Sequence, residues 1–444
     1  MMPLVHLFGF FAAIALLHFL EKKGISRNKR TLLAIFVGGL LGSLLQIYGK
    51  ESVQIVLQAY SVLAIGYIRF LQMLVYPMVS LAILLAFIKI GETGGTFKSS
   101  FLILLILIGT TGVSGLVGAL STSLFHLDFS SFSGILASEE VMHNVTNKKS
   151  ILQKPFYQFV TDFISVNPFY DFTGARGSSL ASIIIFLSCI GAAYLQLKKT
   201  EEIYAEKFKF SIEMLYKLMM IIVSFALKIT PYGILGLFAK LTATSEISDI
   251  LKLLNFIFIS YLAIFIMFVV HGVMIASVKL NPIIYYKKVF SVLIFGFFSR
   301  SSSAAMPLNI ETQTKELGLP MSNATVSAAF GSSIGQNGCA GIYPAMLVAI
   351  LAPNFGINPL DPSFLLTLCV IIMINSFGIA GVGGGAIFAG IAALNAFDMP
   401  LIIIPLLAGI EPIIDMARTA LNINATMVAS VVTSRISGEM KDFK

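Results

Sequence analysis

The sequence predicts an all-α polytopic membrane protein, and three observations carry that reading. The 444 residues are 57% hydrophobic and 12% charged, about half the charge of an ordinary soluble domain. Mean hydropathy is +0.90. Apolar runs of the length that crosses a bilayer, about 20 residues, follow one another along the first two thirds of the chain, with Lys and Arg gathered in the short segments between them. Too little polar surface remains to cover a water-soluble globule, so the surplus apolar surface faces lipid.

The net charge of +8 fits the positive-inside pattern of membrane loops, and no nucleic-acid partner is expected. Cys189, Cys339 and Cys369 are far apart. An odd count without metal-ligand spacing implies neither a disulfide framework nor a metal centre, and no cofactor is expected.

The apolar runs lie near 3–20, 31–48, 55–90, 100–127, 179–197, 210–240 and 249–278. In the first, positive charge follows the run, the reverse of a cleaved signal peptide, so a retained helix is expected. Pro77 predicts a tilt or kink in the 55–90 span. Lys22, Lys23, Arg27, Lys29 and Arg30 place the first loop in the cytoplasm and the N-terminus outside. Alternation then puts Lys98, the Lys198–Lys209 stretch, Lys279, Lys287, Lys288 and the C-terminus inside, and the polar 128–178 loop outside.

After 285 the pattern changes. Backbone at membrane depth must be hydrogen-bonded, so irregular backbone is tolerated only where it lines a cavity or is buried in protein. Interrupted, Gly- and Ser-rich segments therefore point to a transport site. The first break is Ser299-Arg300-Ser301-Ser302-Ser303-Ala304-Ala305-Met306-Pro307. Its hydroxyls and amides suit an anion at a helix N-terminus. The second, Gly331-Ser332-Ser333-Ile334-Gly335-Gln336-Asn337-Gly338-Cys339-Ala340-Gly341, predicts unwinding at 335–338, with carbonyls, Gln336 and Asn337 offered to a cation or polar group. The third, Asn375 to Ala386, has five glycines within Gly378–Gly385 and cannot be a stable helix interior. Its exposed amides suit a carboxylate.

In the last span Glu411, Asp415, Arg418 and Asn422 follow at i, i+4, i+7 and i+11, which puts them on one helical face with Thr419 beside them. Charges in a membrane helix usually face a cavity and carry function. A carboxylate such as Asp415 accepts an ammonium, and Arg418 presents a planar fork to a carboxylate. That pair of chemistries fits an amino acid. An internal Asp415–Arg418 salt bridge is the plainer reading of the same two residues.

The serine-rich segment, the broken helix, the glycine-rich segment and Asp415-Met416-Ala417-Arg418-Thr419 together resemble the dicarboxylate/amino acid:cation symporter family, which includes the glutamate transporters, over about residues 31–435. Within it the likeness is greatest to bacterial L-cystine uptake proteins. It is carried by Ser299–Pro307 with Leu308–Thr314, Ile334–Gly341, Ala380–Ala386 and Glu411–Asp415, and by the extra helix at 3–20. The resemblance implies a homotrimer in the bacterial plasma membrane with a glutamate-transporter-like elevator fold, inverted repeats and two re-entrant helical hairpins.

The division it implies begins with an extra helix and basic loop (1–30), scaffold helices (31–98) and a transport-domain helix (99–127). An outer loop with scaffold helices (128–240) and a second transport-domain helix (249–284) follow. Then come a first hairpin (285–320), a broken helix (321–353), a second hairpin (363–398) and the substrate-binding last helix (399–435). By likeness Ser301 and Ser302 bind substrate at the first tip and the amides about Gly381 and Gly383 at the second. Asp415 holds the amino group, Arg418 the distal end, and Thr419 and Asn422 the remaining polar groups.

The chain departs from the family where ions bind. Where relatives read Asn-Met-Asp-Gly-Thr, this chain has Gly335-Gln336-Asn337-Gly338-Cys339, and Thr426 stands where they carry an aspartate. Loss of charged ligands weakens a hard-cation site. Ser333, Gln336, Asn337, Glu411, Asn422 and Thr426 are the candidates for coupling to Na+ or H+. Gly335 and Cys339 are expected to widen the pocket for cystine. The expected function is L-cystine symport, with a sodium-coupled acidic amino acid or dicarboxylate carrier as the alternative. An enzyme is not expected, because His6, His18, His126, His143 and His271 all lie outside the motifs.

Overall fold

The computed structural model describes residues 2–25, 27–48, 53–92, 97–125, 127, 161, 164–173, 179–244, 247–378, 385–401, 403–408 and 410–440. Among these residues every regular element is helical, as lipid demands of backbone that must satisfy its own hydrogen bonds. Seven described helices are long and apolar enough to cross a membrane. The protein is a membrane protein.

The first half supplies α1 (Met2–Lys22), α2 (Arg27–Tyr48), α3 (Val53–Glu92) and α4 (Phe97–Leu124). The one-turn α5 (Pro168–Phe172) follows, with Asn167 as its N-cap. Then come α6 (Ser179–Thr200), α7 (Glu202–Thr244) and α8 (Ile247–Ser277). The 55–90 span is one helix that carries Pro77. The Lys198–Lys209 stretch, expected as a loop, is helical except for Glu201, and α7 starts eight residues earlier than expected. Lys and Glu are good helix formers, and Lys209 pairs with Glu206 at i,i+3 (3.5 Å). The two halves of α7, Glu202–Ala226 and Lys228–Lys240, diverge by 41°. The bend falls four residues before Pro231, where a proline ring meets the i−4 carbonyl.

Helices α2, α3, α6 and α7 pack on one another, and α1 joins them. Arg30 of α2 pairs with Glu21 of α1 at 2.9 Å, and the Tyr232 hydroxyl of α7 donates to the same carboxylate. Helices α1, α2 and α7 are thereby tied by a partly buried polar link.

The second half is broken at Arg300–Ser301 and at Ser332–Gln336, as the first two interrupted segments predict; residues 379–384 of the third lie outside the described residues. It runs α9 (Pro282–Ser299), α10 (Ser302–Glu311) with a π-type turn at Thr312–Glu316, and α11 (Met321–Gly331). A second π-type turn, Asn337–Ile342, leads into α12 (Tyr343–Leu351). Then follow α13 (Pro362–Asn375), α14 (Gly385–Ala396), the short α15 (Ile403–Ala408) and α16 (Glu411–Ile436). Helix α16 is surrounded by α4, α8, α9, α10, α11 and the second π-type turn. Nearly all its residues are buried, polar ones included. A buried polar helix in a lipid-facing protein needs partners for its charges, and those partners make the site.

Candidate functional site

Helix α16 begins with Glu411 and Pro412, a carboxylate at the positive helix end and a proline where its missing N–H is harmless. Glu411, Asp415, Arg418, Thr419 and Asn422 are all buried, Arg418 completely. The face expected from their spacing is therefore inward.

Two arginines meet two carboxylates there. Arg300, which closes α9, reaches Asp415 (Nε to Oδ2, 3.0 Å) and Glu411 (Nη2 to Oε2, 3.4 Å). Arg418 donates from Nη2 to Glu411 Oε1 at 2.7 Å, and the same nitrogen is 3.6 Å from Asp415 Oδ1. Its guanidinium carbon lies 4.5 Å from the centroid of the Tyr343 ring, a cation–π contact in a dry setting. The simple Asp415–Arg418 pair is thus the longest link of a four-membered cluster. Arg418 Nε and Nη1, both buried, have no hydrogen-bond partner among the described residues.

Arg300 has a left-handed backbone (φ 54°), a conformation a non-glycine residue holds only when its surroundings impose it. Arg300 closes the helix as a C-cap, its N–H given to the Gly296 carbonyl, and its side chain makes the two ion pairs. Ser301 is the N-cap of α10, accepting from the Ala304 N–H at 3.1 Å, and Ser302 opens that helix as a buried residue. Both serines lie next to Arg300 and so to the charged cluster. Gly381 and Gly383 lie outside the described residues. Asn375, which ends α13 just before them, buries an Nδ2 with no partner among the described residues.

The broken helix is held by backbone contacts. Gly335 has φ 66°, and a Cβ there would sit 2.6 Å from the Leu107 Cβ and 2.9 Å from its carbonyl. This position needs glycine for its turn and for contact with α4, which replaces the expected pocket-widening role. A Cβ on Gly338 would lie 2.7–2.8 Å from Arg418 main-chain and Cβ atoms, so the turn touches α16 backbone to backbone. Asn422 locks that contact. Its Oδ1 accepts from the Gly338 N–H (2.7 Å), and its Nδ2 points to Cys339 Sγ (3.1 Å) and Gln336 Oε1 (3.4 Å). Gln336 donates to the Ser332 carbonyl at 3.0 Å. Cys339 Sγ is 3.9 Å from Asp415 Oδ1, at the edge of the charged cluster.

The coupling candidates separate. Glu411 belongs to the charged cluster, and Gln336 and Asn422 to the latch. Ser333 is half-buried, its N–H given to Phe330. Thr426 is closed off: it accepts from Asn309 Nδ2 and donates to the Ile423 carbonyl, both at 2.7 Å. Asn337 is completely buried and faces α4. Its Oδ1 lies 3.2 Å from Thr110 Oγ1 and 3.1 Å from Thr111 Oγ1, and its carbonyl accepts from Ser114 Oγ at 2.9 Å. On its other side is His271, buried on α8 and itself beside Asn424. His271 thus belongs with the motif region, contrary to the expectation from sequence position. Thr110, Thr111 and Ser114 are hydroxyls between the apolar stretch 101–108 and the small-residue stretch that ends α4. Arg300 was visible in the serine-rich break, but its partners on α16 were not.

Among the described residues no three His, Cys, Asp or Glu side chains gather as metal ligands. The oxygens of Asn337, Thr110 and Thr111 are neutral. Such a set fits a hard monovalent cation and lacks the charge that divalent sites use.

The sequence matches the model of the sodium:dicarboxylate symporter family over residues 28–436. It is 42% identical over 431 residues to the L-cystine uptake protein TcyP of Bacillus thuringiensis subsp. konkukian, covering 96% of this chain and 93% of that one. The Shouchella clausii protein of the same name is 42% identical over 436 residues (97% and 93%). That of Bacillus licheniformis is 42% identical over 432 (96% and 94%). A match over nearly the whole chain, spanning every broken element and the buried charged helix, leads to one conclusion: the chain is a transport protein, not an enzyme, and belongs to the sodium:dicarboxylate symporter family.

Proposed function

We propose that the protein is a secondary active symporter that imports L-cystine across the bacterial plasma membrane, driven by a gradient of Na+ or H+. The observation that carries this is Arg418. It is fully buried, one nitrogen is held by Glu411, and two others lack a partner among the described residues. Leaving such donors unmet costs about 1–3 kcal/mol each. A substrate carboxylate could take Nη1 end-on, or Nε together with the second Nη2 hydrogen, and so meet donors that Glu411 leaves open.

Net charge supports an amino acid with zwitterionic ends. Arg300 and Arg418 balance Glu411 and Asp415. A zwitterion adds no net charge to that cluster, whereas a dianion would need a further cation. In this reading Asp415 takes the substrate ammonium, Ser301, Ser302 and the Gly381–Gly383 amides line the tips, and Thr419 borders the site. Asn422 acts through the broken helix it latches. The Asn337, Thr110 and Thr111 oxygens receive the coupling cation, and Thr426, already satisfied, does not.

The packing of α1, α2, α3, α6 and α7 on one another, and of α4, α8–α11 and the second π-type turn about α16, supports a scaffold and a transport domain moving as an elevator. The segments α9–α10 and α13–α14 are then the two re-entrant hairpins. The homotrimer, with each N-terminus outside, belongs to the same reading. Uptake of labelled L-cystine into proteoliposomes, with and without an imposed sodium gradient, tests it. Saturable uptake that follows the gradient is expected. Uptake of aspartate in place of cystine would transfer the site to the acidic-substrate reading.

A further inference from the structure

The buried histidine of α8 has no place in substrate binding, yet it is held more tightly than any other imidazole described. His271 Nε2 lies 3.0 Å from Asn337 Nδ2 and Nδ1 lies 2.8 Å from Asn424 Nδ2. The ring has no exposed surface. None of the described ion pairs includes it.

A neutral imidazole has one N–H and one lone pair. A carboxamide offers NH2 at one end and oxygen at the other. A neutral ring between two carboxamides therefore forces them to present opposite ends. If Asn337 gives its NH2 to Nε2, its oxygen is left facing the Thr110 and Thr111 hydroxyls at 3.2 and 3.1 Å. Nδ1 then carries the proton and donates to the Asn424 oxygen. This turns the Asn424 carboxamide over from its placement, in which Nδ2 faces the ring and Oδ1 accepts from the Tyr285 hydroxyl at 2.9 Å; turned over, its NH2 meets that hydroxyl, which accepts as readily as it donates.

The reverse arrangement would aim the Asn337 NH2 at the threonines and repel a cation. We infer that His271 is a positioning residue for cation coupling: clamped between Asn337 and Asn424, its imidazole keeps the Asn337 oxygen turned towards Thr110 and Thr111, where the coupling cation binds. The inference rests on the proposed symport and names a metal cation of the sodium class as the coupling ion. Outer partners of this kind change metal affinity by about 10–100-fold when removed.

The test uses the full-length protein and the variants His271→Leu, His271→Gln and Asn424→Leu. Glutamine keeps one donor and one acceptor, whereas leucine keeps neither. Two readouts are taken: the sodium concentration giving half-maximal cystine uptake in proteoliposomes, and the rise in Tm on adding sodium to purified protein without cystine. The second reads the cation site even if cystine is not the substrate, so failure of the substrate reading stays separate.

His271→Leu is expected to raise the sodium half-saturation by at least about tenfold. It should abolish the sodium-induced Tm rise, while the half-saturation for cystine at saturating sodium moves much less. His271→Gln should recover most of both. If His271→Leu does not fold, Asn424→Leu breaks the same clamp and is expected to show the same split. An unchanged sodium half-saturation in a folded leucine variant would overturn the inference. So would equal damage by leucine and glutamine, or a wild-type protein whose Tm and uptake ignore sodium.

Discussion

Arg300 and Asp415 are 115 residues apart in sequence and 3.0 Å apart in space. This pair joins the turn between α9 and α10 to the N-terminal part of the site-bearing helix. Removing the arginine leaves two buried carboxylates facing one guanidinium. Breaking a buried pair in this way costs about 3–5 kcal/mol. Arg300→Ala is expected to lower the Tm of the purified protein by several degrees and to abolish uptake. Equal Tm and uptake in variant and wild type would show that the pair does not hold the turn.

Arg418→Lys separates charge from geometry. Lysine keeps the positive charge beside Glu411 but loses the planar fork. Protein stability should change little, while L-cystine affinity should fall by about 2–3 kcal/mol, some 30–150-fold. Titration calorimetry on purified protein reads both the affinity and, by its absence, any loss of folded sites.

At Gly335 the account predicts a loss that does not depend on substrate size. Gly335→Ala places a Cβ against Leu107 on a left-handed backbone. The strain, about 1–2 kcal/mol for the backbone with about 1–3 kcal/mol for overpacking, falls on folding. Uptake of cystine and of smaller amino acids should drop in parallel, with a lower Tm. A loss confined to cystine would restore the glycine to the pocket wall.

Asn422→Ala removes the acceptor for the Gly338 N–H and the contact with Cys339. A buried amide left without a partner costs about 1–3 kcal/mol. Hydrogen exchange at 338–340 should quicken by about one to two orders of magnitude, while exchange in α2 and α7 stays unchanged. Uniform quickening would make Asn422 a general stability residue.

Much of this was legible in the sequence because each feature is local. Apolar runs give helices, Gly335 and its neighbours give a break, and the spacing of Glu411, Asp415, Arg418 and Asn422 gives a common face. The pairings were not legible, because they are set by which helices pack. Nothing local assigns Arg300 to Asp415 and Glu411, or Thr110 and Thr111 to Asn337. His271 looked like one polar residue in an apolar helix, and only the packing of α8 against α16 and the broken helix brings it to Asn337. The Thr426 pairing is hidden for the same reason: its partner, Asn309, lies on α10. The Lys198–Lys209 stretch looks like a connecting segment by its charge, although its Lys and Glu residues also favour helix.

The most direct test of the central claim is competition. Proteoliposomes are loaded with unlabelled L-cystine, and labelled L-cystine exchange is followed with excess L-aspartate or excess L-cystine outside. The charge-balanced site predicts saturable exchange that unlabelled cystine suppresses and aspartate does not. Suppression of that exchange by aspartate would contradict it and make the protein a carrier of acidic solutes.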